Sequence, residues 1–185
     1  MCKNSKMKLF FPIWHWKIPQ DIIDKYDCIA FHMTDLPFGR GGHPLQNLII
    51  RGFKKTKITA FRVTSEIDGG DILLQRDLSL DGSADEIYKR ASEIIIKDMI
   101  PYLIENNVEG KPQSGEVIRF HRFAPVDLKD IDSLDKIHDC IRMSDAPFYD
   151  KAFINTDNFR IEFFDSHLVD GCIECKCKIY KSKGD

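Results

Sequence analysis

An α/β fold with a small β-rich appendage is what the order of elements in this sequence predicts. Three observations carry that reading. Short apolar and aromatic runs alternate with helical stretches up to about residue 107. A polar tract with two glycines and a proline follows, over residues 107–115. Beyond it, one amphipathic helix leads into three closely spaced strand-like runs. The expected division is a core over residues 1–110 and an appendage over residues 111–185.

Each element has a local cause. Residues 8–16 form a short apolar, aromatic run that reads as a buried strand, and Pro19 opens a short helix carrying Ile22 and Ile23. Residues 27–33 are a second strand. Residues 36–44 hold Gly39, Gly41 and Gly42 with two prolines, which marks a tight loop. A helix over residues 46–51 ends at Gly52. Strands over residues 56–64 and 72–80 flank the turn Ile67-Asp68-Gly69-Gly70-Asp71. Ser83 and Glu86 form a capping box, and Ile87, Ala91, Ile94, Ile95, Met99 and Leu103 recur behind it at helical spacing. Pro101 should kink that helix or end its first part. Ser133 caps a helix with Leu134, Ile137 and Ile141, and strands follow near residues 152–155, 159–164 and 172–180.

The 185 residues carry 27 basic and 29 acidic side chains, a net charge of −2, with 43% hydrophobic residues. That composition argues for a globular domain and against a nucleic-acid coat or polybasic anchor. Residues 1–75 are net +4 and residues 76–185 net −6. The basic half suits an anionic small molecule, and ordinary surface scatter explains it equally well. No apolar run reaches the ~18–20 residues of a membrane span. Neither a signal peptide nor a membrane partner is expected, so the thiols are expected to be reduced and the compartment cytoplasmic. Cys172 and Cys175 have zinc-ligand spacing but lack a second pair. Ile173, Cys175, Cys177 and Ile179 alternate with polar residues, so the two cysteines are expected to face a core, and no metal is expected. Arg40-Gly41-Gly42-His43 has neither dinucleotide-binding nor P-loop spacing.

His32 stands at the C-terminal end of a strand, where open α/β sheets bind ligands, and Asp68 lies in a turn at another strand's entrance. A carboxylate that orients a histidine ring makes a general acid–base pair. The surrounding residues sharpen this. Phe31-His32-Met33-Thr34-Asp35-Leu36-Pro37, then Arg40-Gly41 and Pro44, resembles the histidine loop of the folate-dependent formyltransferases. Ile67-Asp68-Gly69-Gly70-Asp71-Ile72 with Gln75 resembles that family's Asp-x-Gly motif. Trp16-Lys17-Ile18-Pro19 is similar to its pterin-bordering strand end. Ile141-Arg142 and Ala146-Pro147-Phe148-Tyr149 are similar to its Ile-Arg…Pro-Tyr-Pro segment.

The resemblance implies a truncated Rossmann-like formyltransferase core and an N-formyltransferase activity. The substrate's amine would attack the formyl carbon of 10-formyltetrahydrofolate, with His32 donating to the developing oxyanion beside Asp68. Trp14, Trp16, Lys17, Ile18, Ile67 and Gly69 would hold the pterin; either tryptophan could equally be core. Thr34, Arg40 and His43 would face the amine donor. Arg40 could meet a phosphate or pair with a local carboxylate, and His43 could be a surface loop residue. The implied acceptor is a nucleotide-linked 4-amino-6-deoxy sugar, as in short sugar N-formyltransferases, one of which could serve a UDP-linked pseudaminic-acid route. No nucleic-acid partner is expected, and a homodimer would cover the sheet edge. Two alternatives stay open: a formyltetrahydrofolate hydrolase, and an inactive folate- or nucleotide-binding homologue. The sequence departs from the family at Ala30, where the family has an Asn that polarises the formyl oxygen. A backbone N–H, His15, a Trp14 or Trp16 indole, or Asn47 could replace it.

Overall fold

A computed structural model describes residues 6–182. Its main sheet has the order β1-β2-β4-β5, with β1 (Lys8–Phe11) parallel to β2 (Asp27–His32). The strands β4 (Lys55–Arg62) and β5 (Ile72–Ser79) add antiparallel, so the sheet is mixed. Helix α1 (Gln20–Lys25) links the parallel pair; Pro19 is its cap rather than its first residue. The mixed α/β architecture expected from the sequence is the one observed.

The glycine- and proline-rich loop contains a strand, β3 (Phe38–Gly41), which pairs parallel with β6 (Ile118–Phe120). A Cβ on Gly41 would lie 2.4 Å from the carbonyl oxygen of Phe120, so only glycine permits this approach. Helix α2 (Pro44–Ile50) follows, entered through His43 in the left-handed conformation.

The capping box of α3 (Ala84–Ile94) forms on both sides: Ser83 Oγ accepts from the Glu86 N–H, and the Glu86 carboxylate accepts from the Ser83 N–H. Pro101 does not stop the helix. A π-helical turn (Ile95–Met99) lets the Ile100 N–H donate to the Ile95 carbonyl, and α4 (Ile100–Glu105) continues through the proline. The widened turn accommodates a ring that would otherwise meet the preceding turn's carbonyls.

Helix α5 (Leu134–Met143) packs against the antiparallel sheet of β7 (Ala152–Asn155), β8 (Phe159–Val169) and β9 (Cys172–Lys181). Ser133 occupies the cap position, though its side chain makes no cap hydrogen bond. One apolar core runs across the expected division at residue 110: Phe120, Leu128, Cys140, Ile141, Met143 and Ala152 join the cluster built by Ile29, Leu48, Ile58, Ile87 and Met99. Cys175 and Cys177 do alternate along a strand, but both are exposed, because β9 is an edge strand and α5 packs mainly over its neighbour β8. Among the described residues, no helix is long and apolar enough to cross a membrane.

Candidate active site

A cleft of about 670 Å³ opens over the C-terminal ends of β1 and β2. Ala30, Phe31 and His32 line its floor, residues 64–68 one wall, and Trp14, His15, Trp16 and Phe148 another. His32 is buried at the last register position of β2, opposite Thr59. Its Nε2 lies 2.7 Å from the Gly39 carbonyl oxygen, so Nε2 carries the hydrogen and donates. Nδ1 faces Asp68 Oδ2 at 3.7 Å, longer than a direct hydrogen bond. The same Oδ2 accepts from the Gly41 N–H at 2.8 Å, which ties the Asp68 turn to β3.

That turn has local causes. Asp68 takes a left-handed conformation (φ 52°), tolerable for aspartate. A Cβ on Gly70 would stand 1.7 Å from the Arg62 carbonyl oxygen, so glycine is obligatory there. Gln113 pins the turn from outside, its Nε2 donating to the carbonyls of Asp68 (2.7 Å) and Gly70 (2.8 Å).

Other expected site residues divide into two groups. Trp14, Trp16, Lys17, Ile18, Ile67 and His43 line the cleft. Trp14 and Trp16 are 49% and 70% exposed and pack edge-on at 5.2 Å, beyond the end of β1 rather than on one strand face. Thr34, Arg40 and Gly69 do not line it. Thr34 is fully buried in the core side of the loop. Gly69 closes its turn by donating to the Glu66 carbonyl. Arg40 is 5% exposed; its Nη1 donates to Glu66 at 2.6 Å, and Nε and Nη2 to Gln113 Oε1. Its local carboxylate occupies it, and it holds two loops together.

Sequence reasoning missed Tyr88, Arg122 and the full part of Phe148 and Tyr149, all of which line the cleft. Tyr88 and Tyr149 share a hydrogen bond between hydroxyls at 3.0 Å, and burial pushes the Tyr88 phenol well above its ordinary range. His43 Nδ1 accepts from the Phe123 N–H, and its ring meets Tyr149 edge-on. Burial, then the charges of Arg122 and His15, hold His43 below the ordinary histidine value. The Pro-Phe-Tyr segment was a signal in the sequence; nothing local signalled Arg122, which β6 carries to the cleft by pairing with β3.

Of the groups that could stand in for an Asn at Ala30, Asn47 is engaged elsewhere. Its Nδ2 donates to the carbonyls of Gly42, His43 and His121, and its Oδ1 accepts from Arg51. The N–H groups of Gly41 and Gly42 are also committed, to Asp68 and the Phe120 carbonyl. His15, Trp14 and Trp16 remain on the cleft wall.

The same arrangement of elements recurs in known proteins. A methionyl-tRNA formyltransferase from Clostridium thermocellum superposes with a TM-score of 0.92 at 46% identity, covering 95% of this chain and 78% of that one. This chain belongs to the formyltransferase family. A family profile described as "Methionyl-tRNA formyltransferase, C-terminal domain" matches residues 125–180. The methionyl-tRNA formyltransferase of Rickettsia typhi is 36% identical over 118 residues, 60% of this chain and 39% of that enzyme. The match thus spans about two fifths of the curated relative's length. A sugar N-formyltransferase from Shewanella sp. FDAARGOS_354 shares the fold, with a TM-score of 0.70 at 20% identity over 88% of this chain and 71% of that one. Relatives acting on tRNA by name are therefore closer in sequence than this sugar-modifying one.

Proposed function

We propose that this formyltransferase-family chain is a cytoplasmic enzyme that moves a formyl group from 10-formyltetrahydrofolate to the amine of a nucleotide-linked amino sugar. One observation carries the reading: His32 and Asp68 converge on the floor of a cleft whose mouth is aromatic on one wall and polar on the other. About 670 Å³ is within the usual range for a small-ligand site, and the exposed rings of Trp14 and Trp16 with Ile67 suit a flat heterocycle. The donor, when bound, supplies the activated formyl carbon. The chain's part is to position, to donate and to accept a proton.

Nε2 of His32 is committed to Gly39, so Nδ1 is the ring atom left to hold a transferred proton. The 3.7 Å gap between Nδ1 and Asp68 leaves that position accessible to an entering oxygen. A protonated His32 then donates to the charge that develops on the formyl oxygen, and Asp68 compensates the cation. As the acceptor nitrogen bonds to the formyl carbon and the bond from that carbon to the folate N10 breaks, the amine's proton passes by way of this pair to the departing N10. His15 and the two indoles are the wall groups placed to add a second donor where Ala30 has none. His43, whose Nδ1 accepts from the Phe123 N–H, carries its hydrogen on Nε2.

A second reading, an aminoacyl-tRNA as acceptor, has the names of the closer relatives behind it. Charge favours the sugar. Residues 125–180 hold twelve acidic against seven basic side chains, a poor surface for a polyanion whose binding rests on neutralised phosphates.

The two separate in one assay. The protein is supplied with 10-formyltetrahydrofolate and, in parallel, UDP- and dTDP-linked 4-amino sugars or methionyl-tRNA, with a no-acceptor control. Formylation of a sugar amine is the expected outcome. Formylation confined to the tRNA would replace the substrate assignment. Formate release without an acceptor would make the protein a hydrolase.

A further inference from the structure

We propose that Arg122 and His43, neighbours in the cleft lining, form the subsite that holds the acceptor's phosphate. The inference rests on the nucleotide-linked acceptor proposed above and names the groups that take its charged link. The sequence offered Arg40 for this task, but Arg40 is buried and committed to Glu66 and Gln113. Arg119 also stands near Glu66, at 3.6 Å. Arg122 differs from both. It is exposed, lines the cleft and makes no ion pair among the described residues. Its hydrogen bond runs from Nη2 to the His15 carbonyl at 3.3 Å, which leaves the rest of the guanidinium's N–H groups uncommitted.

The loop after β3 sets this placement. Gly42 has no side chain to hold the arginine stem away; a Cβ there would lie 2.6 Å from Arg122 Cγ. The Gly42 N–H donates to the Phe120 carbonyl at 3.1 Å, and the Phe123 N–H donates to His43 Nδ1 at 3.0 Å, so Arg122 is fastened beside the loop on both sides. The second bond leaves the His43 hydrogen on Nε2, for which the described residues supply no acceptor. Burial, then the charges of Arg122 and His15, lower the proton affinity of His43, as expected where positive groups share one small region. An unpaired guanidinium beside a further N–H donor suits a phosphate, whose oxygens accept from the planar fork and neutralise it. The wall of residues 64–68 carries Glu66 and Asp68 and disfavours an anion there.

Spacing supports the same occupant. Asp68, beside His32, accepts from the Gly41 N–H at 2.8 Å, and His43 follows Gly41 by two residues, at most about 7 Å of chain. A 4-amino pyranose carries its amine and its anomeric oxygen across the ring from each other. With the amine at His32, a phosphate on the anomeric oxygen meets His43 and Arg122 as the next polar groups.

Inorganic pyrophosphate probes this subsite without any catalysis. Calorimetric titration of the wild-type protein at pH 7.5 should show a single site. Arg122→Gln should weaken it at least about tenfold, the usual effect of losing a charge-assisted hydrogen bond, and His43→Asn should weaken it less. Arg119→Gln, an exposed arginine outside the cleft lining, should leave it unchanged. In steady-state assays Arg122→Gln should raise KM for a UDP-linked amino sugar by a similar factor while kcat and tetrahydrofolate affinity stay the same. Wild-type protein that binds no pyrophosphate, or an equal loss in Arg119→Gln, would overturn the subsite. So would a loss confined to tetrahydrofolate binding, which would assign Arg122 to the folate's carboxylates. Arg122-dependent pyrophosphate binding in a protein that formylates no sugar would keep the phosphate site and overturn the reaction proposed above.

Discussion

His43 connects burial, pH and the cleft in a single side chain. Its depressed proton affinity has a direct thermodynamic consequence. As pH falls, the unfolded chain takes the proton first, so this residue's contribution to stability is complete above the ordinary histidine value of ~6.5 and is lost as pH drops through the lower folded value. His138, displaced the same way by burial and then by Arg142, adds to the trend. Urea midpoints should therefore fall between pH 7.5 and 5. His43→Asn, which keeps a residue tolerant of the left-handed backbone, should flatten the slope; an unchanged slope would contradict the assignment. Gly70→Ala tests the turn instead. With a Cβ 1.7 Å from a backbone oxygen, the turn must shift, at a cost of about 1–3 kcal/mol, and the Asp68–His32 geometry with it. Thermal unfolding and the rate of formyl transfer should both drop. At this scale the meeting of His32 and Asp68 in one cleft was legible because motif and strand-end position coincide. For Arg40 the sequence offered a phosphate or a carboxylate; that the partners are Glu66 and Gln113 was not legible, because they stand 26 and 73 residues away, and burial by distant chain leaves no local trace.

Between elements, the segment after α4 is more than a linker. Gln113 grips Arg40 on β3 with its oxygen and the Asp68 turn with its amide nitrogen, so the two loops that flank His32 and Asp68 share one clamp. Gln113→Ala should lower kcat with little change in KM for the donor, since the side chain is absent from the cleft lining; a large KM effect with kcat intact would show that it meets substrate. Periodicity and capping made α3, α5 and most strands readable. The strand β3 was hidden for a physical reason: its glycines lower strand propensity, and its partner β6 lies some eighty residues on. The helical spacing already carried Leu103 beyond Pro101; what stayed hidden was the π turn that passes the proline, since such a turn is a response to packing rather than a local preference.

At the scale of the whole molecule, a single apolar core links the main sheet to α5 and β7. A fragment of residues 1–110 loses Phe120, Leu128, Cys140, Ile141, Met143 and Ala152 from that core and should not fold cooperatively. A sharp thermal transition in the fragment would establish an independent unit. The sequence showed the appendage as a separate β-rich run because hydrophobic pattern reports which face is apolar, not what it packs against. The proposed function requires this cleft to transfer formyl groups to an amine by means of His32. Its most direct test is single-turnover consumption of 10-formyltetrahydrofolate, with and without an amine acceptor, by the wild-type protein and His32→Ala. The expected result is acceptor-dependent turnover that His32→Ala abolishes while donor binding persists. Equal turnover in the variant, or donor binding without turnover in the wild type across sugar and tRNA acceptors, would contradict it.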